Sequence, residues 1–214
     1  YLFLSGRKPN QMHNNCSGKH LGMLSSCLSS NLNVKNYLDF NHNHQKKIRD
    51  IFEIFTESKI LKSSYGIDGC SAPQYAFKIK DIQKGLHNLY ECYNSKRKYS
   101  FEINNLINAI IKNPFYIGGS KNLDSNLIKI SDGKIFCKGG AEGVFLFCHL
   151  KKGITGVIKV EDGNERAISS VIYEISKKFK ILNKDELIKL RNFYNFQIEN
   201  HAKIKIGKIE TKLI

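Results

Sequence analysis

The sequence predicts an α+β fold. Apolar residues recur at helical spacing through the first half of the chain, strand-like runs bounded by glycines follow, and helical spacing then returns before a last strand-like segment. Taken in order, residues 1–15 are polar and loop-like after a short apolar start, Tyr1 to Leu4, which reads as the end of a strand or helix. Leu21, Leu24 and Leu28 predict a first helix that ends near Asn31, with Ser17 or Asn15 as its cap and Met23 and Cys27 on neighbouring positions. Asn41-His42-Asn43-His44 makes a capped start for a second helix whose face is Ile48, Ile51, Phe52 and Phe55. Tyr65 to Pro73 is a turn by composition, with Asp-Gly at its centre and proline closing it. A long helix carries Ile82, Leu86, Leu89, Tyr90 and Tyr93 on one face, and the next carries Ile103, Leu106, Ile107 and Ile110. Pro114 ends it, and Gly118-Gly119 opens a bend.

Ile135 to Cys137, Val144 to Leu150 and Gly156 to Val160 then read as strands, the last two antiparallel across Lys151-Lys152-Gly153. The unbroken apolar run from Val144 implies a strand covered on both faces. A helix from about Arg166 to Lys178, a shorter one from Leu187 to Phe193 and a strand near Ile204 to Ile209 complete an antiparallel sheet flanked by helices. With no internal repeat and no long linker, residues 1–214 read as one domain.

The net charge of +15 raises the question of a nucleic-acid partner. The cations are almost all lysines spread along the chain, with arginine only at Arg7, Arg49, Arg97, Arg166 and Arg191, and no groove-reading motif accompanies them. No nucleic-acid partner is expected. No apolar run approaches the roughly 18 residues of a membrane span, so no membrane partner is expected either. Six cysteines without a secretory leader fit a reducing, cytoplasmic setting. Cys27 and Cys148 lie in apolar runs and read as core thiols, whereas Cys16, Cys70 and Cys137 stand beside glycine and polar residues.

Three clusters can carry chemistry. His13-Asn14-Asn15-Cys16-Ser17-Gly18-Lys19-His20 puts Cys16 and Lys19 one turn apart at a helix mouth, where the dipole favours a thiolate. Together with Cys70 they can close around a zinc ion, with water as a further ligand, or they are two reduced structural thiols and a surface lysine. Asp68 is either a ligand for a substrate amine or an Asx-turn residue. Lys138, before Gly139-Gly140, is an amine at a strand end where a substrate can approach the backbone, or a solvated surface charge. His42 and His44 read as a helix entrance, with a metal pair as the alternative.

The order and wording of the clusters resemble the asparaginase II family, whose fold is related to the serine β-lactamases. The resemblance rests on the first cluster, on Asp68-Gly69-Cys70-Ser71-Ala72-Pro73, on Lys138-Gly139-Gly140-Ala141-Glu142-Gly143-Val144, and on Asp162-Gly163 followed by Arg166-Ala167. It implies that Cys16, Lys19 and Cys70 ligate zinc, that Asp68 receives the substrate's amino group, and that Lys138 assists one of two serine–lysine pairs. The activity implied is hydrolysis of L-asparagine to L-aspartate and ammonia, the alternative being a non-catalytic zinc-binding remnant. The family's two serines lie upstream of the first motif. Ser5 with Lys8, Ser95 with Lys98 and Ser131 with Lys134 satisfy S-x-x-K by spacing, and none matches the motif in position. The expected domain is therefore N-terminally truncated, lacking the first part of the β-lactamase-like fold, with exposed apolar surface beside Val144 to Leu150. Its expected partners are asparagine and either a second copy of the chain, as a homodimer, or the missing N-terminal segment.

Overall fold

The helix mouth in the first cluster is made by a side chain one turn upstream of it. In the computed structural model, which describes residues 4–194 and 196–214, Asn14 Oδ1 accepts the Cys16 amide at 2.8 Å. Cys16 occupies the cap position of α1 (Ser17–Ser29) and makes no side-chain cap bond. Neither Ser17 nor Asn15 caps it, because an Asx turn at Asn14 already satisfies the entering amide. Tyr1 to Phe3, part of the apolar start, lie outside the described residues.

α1 is also rotated from the expected stripe. Met23 and Cys27 are buried, while Leu21 and Leu28 are 59% and 66% exposed. The side that packs is the one facing α2 (Asn43–Thr56), whose buried Gln45 donates to Met23 Sδ at 3.4 Å and to the Tyr37 carbonyl at 2.9 Å. His42 caps α2, its ring accepting the His44 amide. Residues 65–75 form a hairpin, β1 (Tyr65–Ile67) paired antiparallel with β2 (Pro73–Tyr75), so strands flank the expected turn. Phe52 of α2 stacks edge-on against Tyr75, with ring centroids 6.0 Å apart.

The chain divides into two compact units, Tyr1–Lys78 and Ile79–Ile214. The second begins with α3 (Ile79–Tyr93) and α4 (Ser100–Lys112), followed by the single turn α5 (Phe115–Gly118) and by α6 (Leu123–Ile130). A three-stranded antiparallel sheet comes next, in the order β3 (Ile135–Gly140), β4 (Val144–His149), β5 (Ile154–Lys159). Cys137 lies opposite Phe147, and Phe147 opposite Gly156. α7 (Ile168–Lys178), α8 (Lys184–Phe193) and a small hairpin, β6 (Gln197–Glu199) with β7 (Lys205–Lys208), complete the chain. Small antiparallel sheets amid helices make this an α+β protein.

The core of the second unit lies on one face of its sheet, where Cys137, Phe145 and Phe147 meet Leu127 and Ile128 of α6, Ile172 of α7 and Leu190 of α8. α3 covers the other face, Gln83 donating to Thr155 of β5 at 3.1 Å. β4 is therefore covered on both sides, as its apolar run implies. No β4 residue is exposed, with Phe145, Phe147, Cys148 and His149 buried and Val144 and Leu146 half-buried. The apolar surface expected to be open beside this strand is closed, because α6, α7 and α8 on one face and α3 on the other already cover it. No helix among the described residues is long and apolar enough to cross a membrane.

Candidate functional site

The first unit gathers its reactive side chains around one sulfur. Asp68 closes the turn between β1 and β2, its Oδ1 accepting the amides of Cys70 and Ala72, each at 2.9 Å. Ser71 sits in the left-handed region with φ 68°, a conformation the turn imposes on a residue with a side chain. This local geometry holds Cys70 toward the mouth of α1. Its thiol interacts electrostatically with Cys16 and with the Lys19 amine, and its Sγ lies 3.0 Å from His20 Nε2. His20 is fixed from behind by Tyr37, whose hydroxyl lies 2.5 Å from Nδ1.

The charges in this cluster offset one another. Lys19 Nζ donates to Asp68 Oδ2 at 2.8 Å, and Gln74 Nε2 donates to the same oxygen at 3.0 Å. Burial works to raise the Asp68 carboxyl, but the bonds from Lys19, Cys70, Gln74 and the Ala72 amide outweigh it and hold the group well below the usual carboxylate range. Burial likewise works against the charged Lys19 amine, and its bonds to Asp68 and Cys70 reverse the balance and raise it. The Cys16 thiol is raised chiefly by its contact with Cys70 and then by burial, with Lys19 opposing. The helix end is therefore not the only influence on the Cys16 thiol, because a second sulfur acts on it in the opposite direction.

Lys138 lies in the second unit, on edge strand β3, in the alternation that faces away from the core. Its amine is 3.1 Å from Asp124 Oδ2 and also donates to the Gly139 carbonyl. The lysine side chain is 48% exposed and the aspartate side chain 4%. The L-asparaginase II family model matches residues 2–211 of this chain. The chain belongs to that family. No curated protein matches it at a significant level.

The structure of this L-asparaginase II member brings Cys16, Lys19, Asp68 and Cys70 into one cluster. Among the described residues, no group of three or more His, Cys, Asp or Glu side chains is gathered to hold a metal, and the donors here are two thiols and an amine. His42 is a helix cap that also contacts the Asn33 carbonyl, and His44 is buried beside it. Cys137 is fully buried in the core, its thiol pushed well above the ordinary range by burial, and it donates to the Asp124 carbonyl at 3.4 Å. Two of the S-x-x-K serines are tied to backbone. Ser95 Oγ donates to the Glu91 carbonyl at 2.5 Å. Ser131, fully buried, donates to Ile128 and accepts the Ile135 amide, while Lys134 pairs with Glu186.

His20, Tyr37, Gln74 and Asp124 are the residues that sequence reasoning missed. His20 follows Lys19 directly and lies one turn after Cys16, so helical spacing was a usable signal. Tyr37, Gln74 and Asp124 carry no such signal, because tertiary contacts alone bring them to their partners.

Proposed function

We propose that this protein is an asparaginase on a serine β-lactamase-like fold, hydrolysing L-asparagine to L-aspartate and ammonia. The observation that carries this is the convergence of Cys16, Lys19, Asp68 and Cys70, in a chain whose family model spans residues 2–211. Two sulfurs and an amine form a donor set that zinc accepts, so Cys16, Lys19 and Cys70 are the ligands we assign, with zinc as the cofactor. Held by these three residues, the metal would supply a positive charge in place of the protons on Lys19 and the thiols. Were the Lys19 amine to serve as a ligand, Asp68 would lose that partner, and its carboxylate would be open to the substrate's ammonium group. In the reaction proposed, a serine oxygen attacks the side-chain amide carbon while a lysine amine, assigned to Lys138 by the resemblance alone, takes the hydroxyl proton. The C–N bond breaks, ammonia leaves with that proton, and water hydrolyses the resulting ester to aspartate. By resemblance, the serine belongs to sequence N-terminal to the first motif. The closed sheet lends that assignment no support, and the resemblance alone carries it.

The bonding of Ser95 and Ser131 to backbone favours a second reading, a zinc-binding remnant without hydrolysis. Both readings expect stoichiometric zinc that is lost in Cys16→Ser and Cys70→Ser, and unchanged metal content in both variants would remove the cysteines from any metal role. Ammonia release from asparagine by the zinc-loaded native polypeptide separates the two. Release, with an intact mass well above that of these residues, supports the enzyme with its serine upstream. Stoichiometric zinc without release supports the remnant.

A further inference from the structure

Three consecutive positions, Cys137, Lys138 and Gly139, are bonded to one residue. Asp124, in the first turn of α6, accepts the Lys138 amine at 3.1 Å and the Gly139 amide at 3.2 Å, both on Oδ2. Its backbone carbonyl accepts the Cys137 thiol at 3.4 Å. Its other carboxylate oxygen accepts the Ser125 amide at 3.1 Å, so the carboxylate is bonded from both ends. Asp124 is 3% exposed, and a carboxylate so deeply buried requires charged or hydrogen-bonding partners, because an unpaired buried charge is costly. The chain also leaves room for it, since a Cβ at Gly118 would sit 2.3 Å from Asp124 Oδ1. The lysine end of the pair is different in character. About half of its side chain is open to solvent, and the amine, bonded to Asp124, donates also to the Gly139 carbonyl.

We infer that Asp124 is the positioning residue of Lys138. It sets where the amine stands at the end of β3 without itself touching substrate. This rests on the asparaginase reading for its role in the reaction, whereas the hold on the amine is independent of that reading. An isolated exposed pair of lysine and aspartate contributes little. Here the aspartate is buried and anchored by the Gly139 and Ser125 amides, so the geometry of the pair is set before the lysine arrives.

Trace acetylation of the full chain with acetic anhydride, read by peptide mass spectrometry, tests the hold. In the unaltered protein, Lys138 is expected to label several-fold more slowly than exposed Lys121, and in Asp124→Asn to rise toward it with the Lys134 and Lys121 rates unchanged. Equal labelling of Lys138 and Lys121 in the unaltered protein overturns the proposal and needs no variant to fold. Unchanged labelling in a folded Asp124→Asn protein overturns it as well. In the active native polypeptide, Asp124→Asn is expected to lower kcat with KM little changed, and an unaltered kcat overturns the positioning role. If no preparation releases ammonia from asparagine, the asparaginase reading fails while the labelling still decides whether Asp124 holds the amine.

Discussion

Asp68 serves a turn and an ion pair with one side chain. It satisfies two turn amides and pairs with Lys19, and its side chain is 17% exposed while that of Lys19 is 42%. The half-exposed ion pair is screened, so the amide bonds carry most of the stabilisation. Asp68→Ala is expected to destabilise the first unit by about 2 kcal/mol at pH 7, measured by urea unfolding. Because the native carboxyl is held below its unfolded value, this stability is present above about pH 4 and is lost as pH falls through the native value. His44 acts in a different window. It is buried with neither ring nitrogen hydrogen-bonded among the described residues, and burial, then His42 and Lys47, lower its affinity for a proton. The folded state therefore binds fewer protons there than the unfolded one, and stability falls as pH drops below about 6.5. His44→Leu is expected to flatten the melting temperature between pH 7 and pH 5, and an unaltered slope would place that sensitivity elsewhere.

Elements in this protein are defined as much by what crosses them as by their own periodicity. The Phe147 ring of β4 lies over the backbone of β5, where a Cβ at Gly156 would meet it at 2.3 Å. Gly156→Ala is expected to cost about 1–3 kcal/mol by forcing that ring out of the core, read as a lowered melting temperature with the same secondary structure. α8 is fixed at its start by a capping box between Asn183 and Glu186, and Glu186 also pairs with Lys134, just before β3. α6 was missed in sequence because it has only 8 residues and its buried positions include Asp124, Ser125 and Asn126, which read as turn chemistry. β6 was missed because three exposed residues give no alternation to read.

At the scale of the molecule, the second unit carries its own core. Leu127, Phe145, Phe147, Ile172 and Leu190 all belong to residues 79–214, and burying each side chain is worth about 1.5–3 kcal/mol. A fragment of residues 79–214 is expected to unfold in one cooperative thermal transition, with near-ultraviolet circular dichroism from its packed aromatics. A fragment with helical content but no cooperative transition would show that this core depends on residues 1–78.

The sequence by itself determined the α+β class, the three main strands and six helices, α1 to α4, α7 and α8, and it singled out Cys16, Lys19, Asp68, Cys70 and Lys138 as candidates for chemistry. Those follow from local period, turn chemistry and short motifs, which act within a few residues of chain. Only the tertiary structure decided which side of α1 is buried, that Cys70 is the point where Cys16, Lys19 and His20 meet, and that Asp124 anchors Lys138. Lys19 and Asp68 are 49 residues apart and Asp124 and Lys138 are 14 apart, and their partnerships depend on packing between elements that no local pattern encodes.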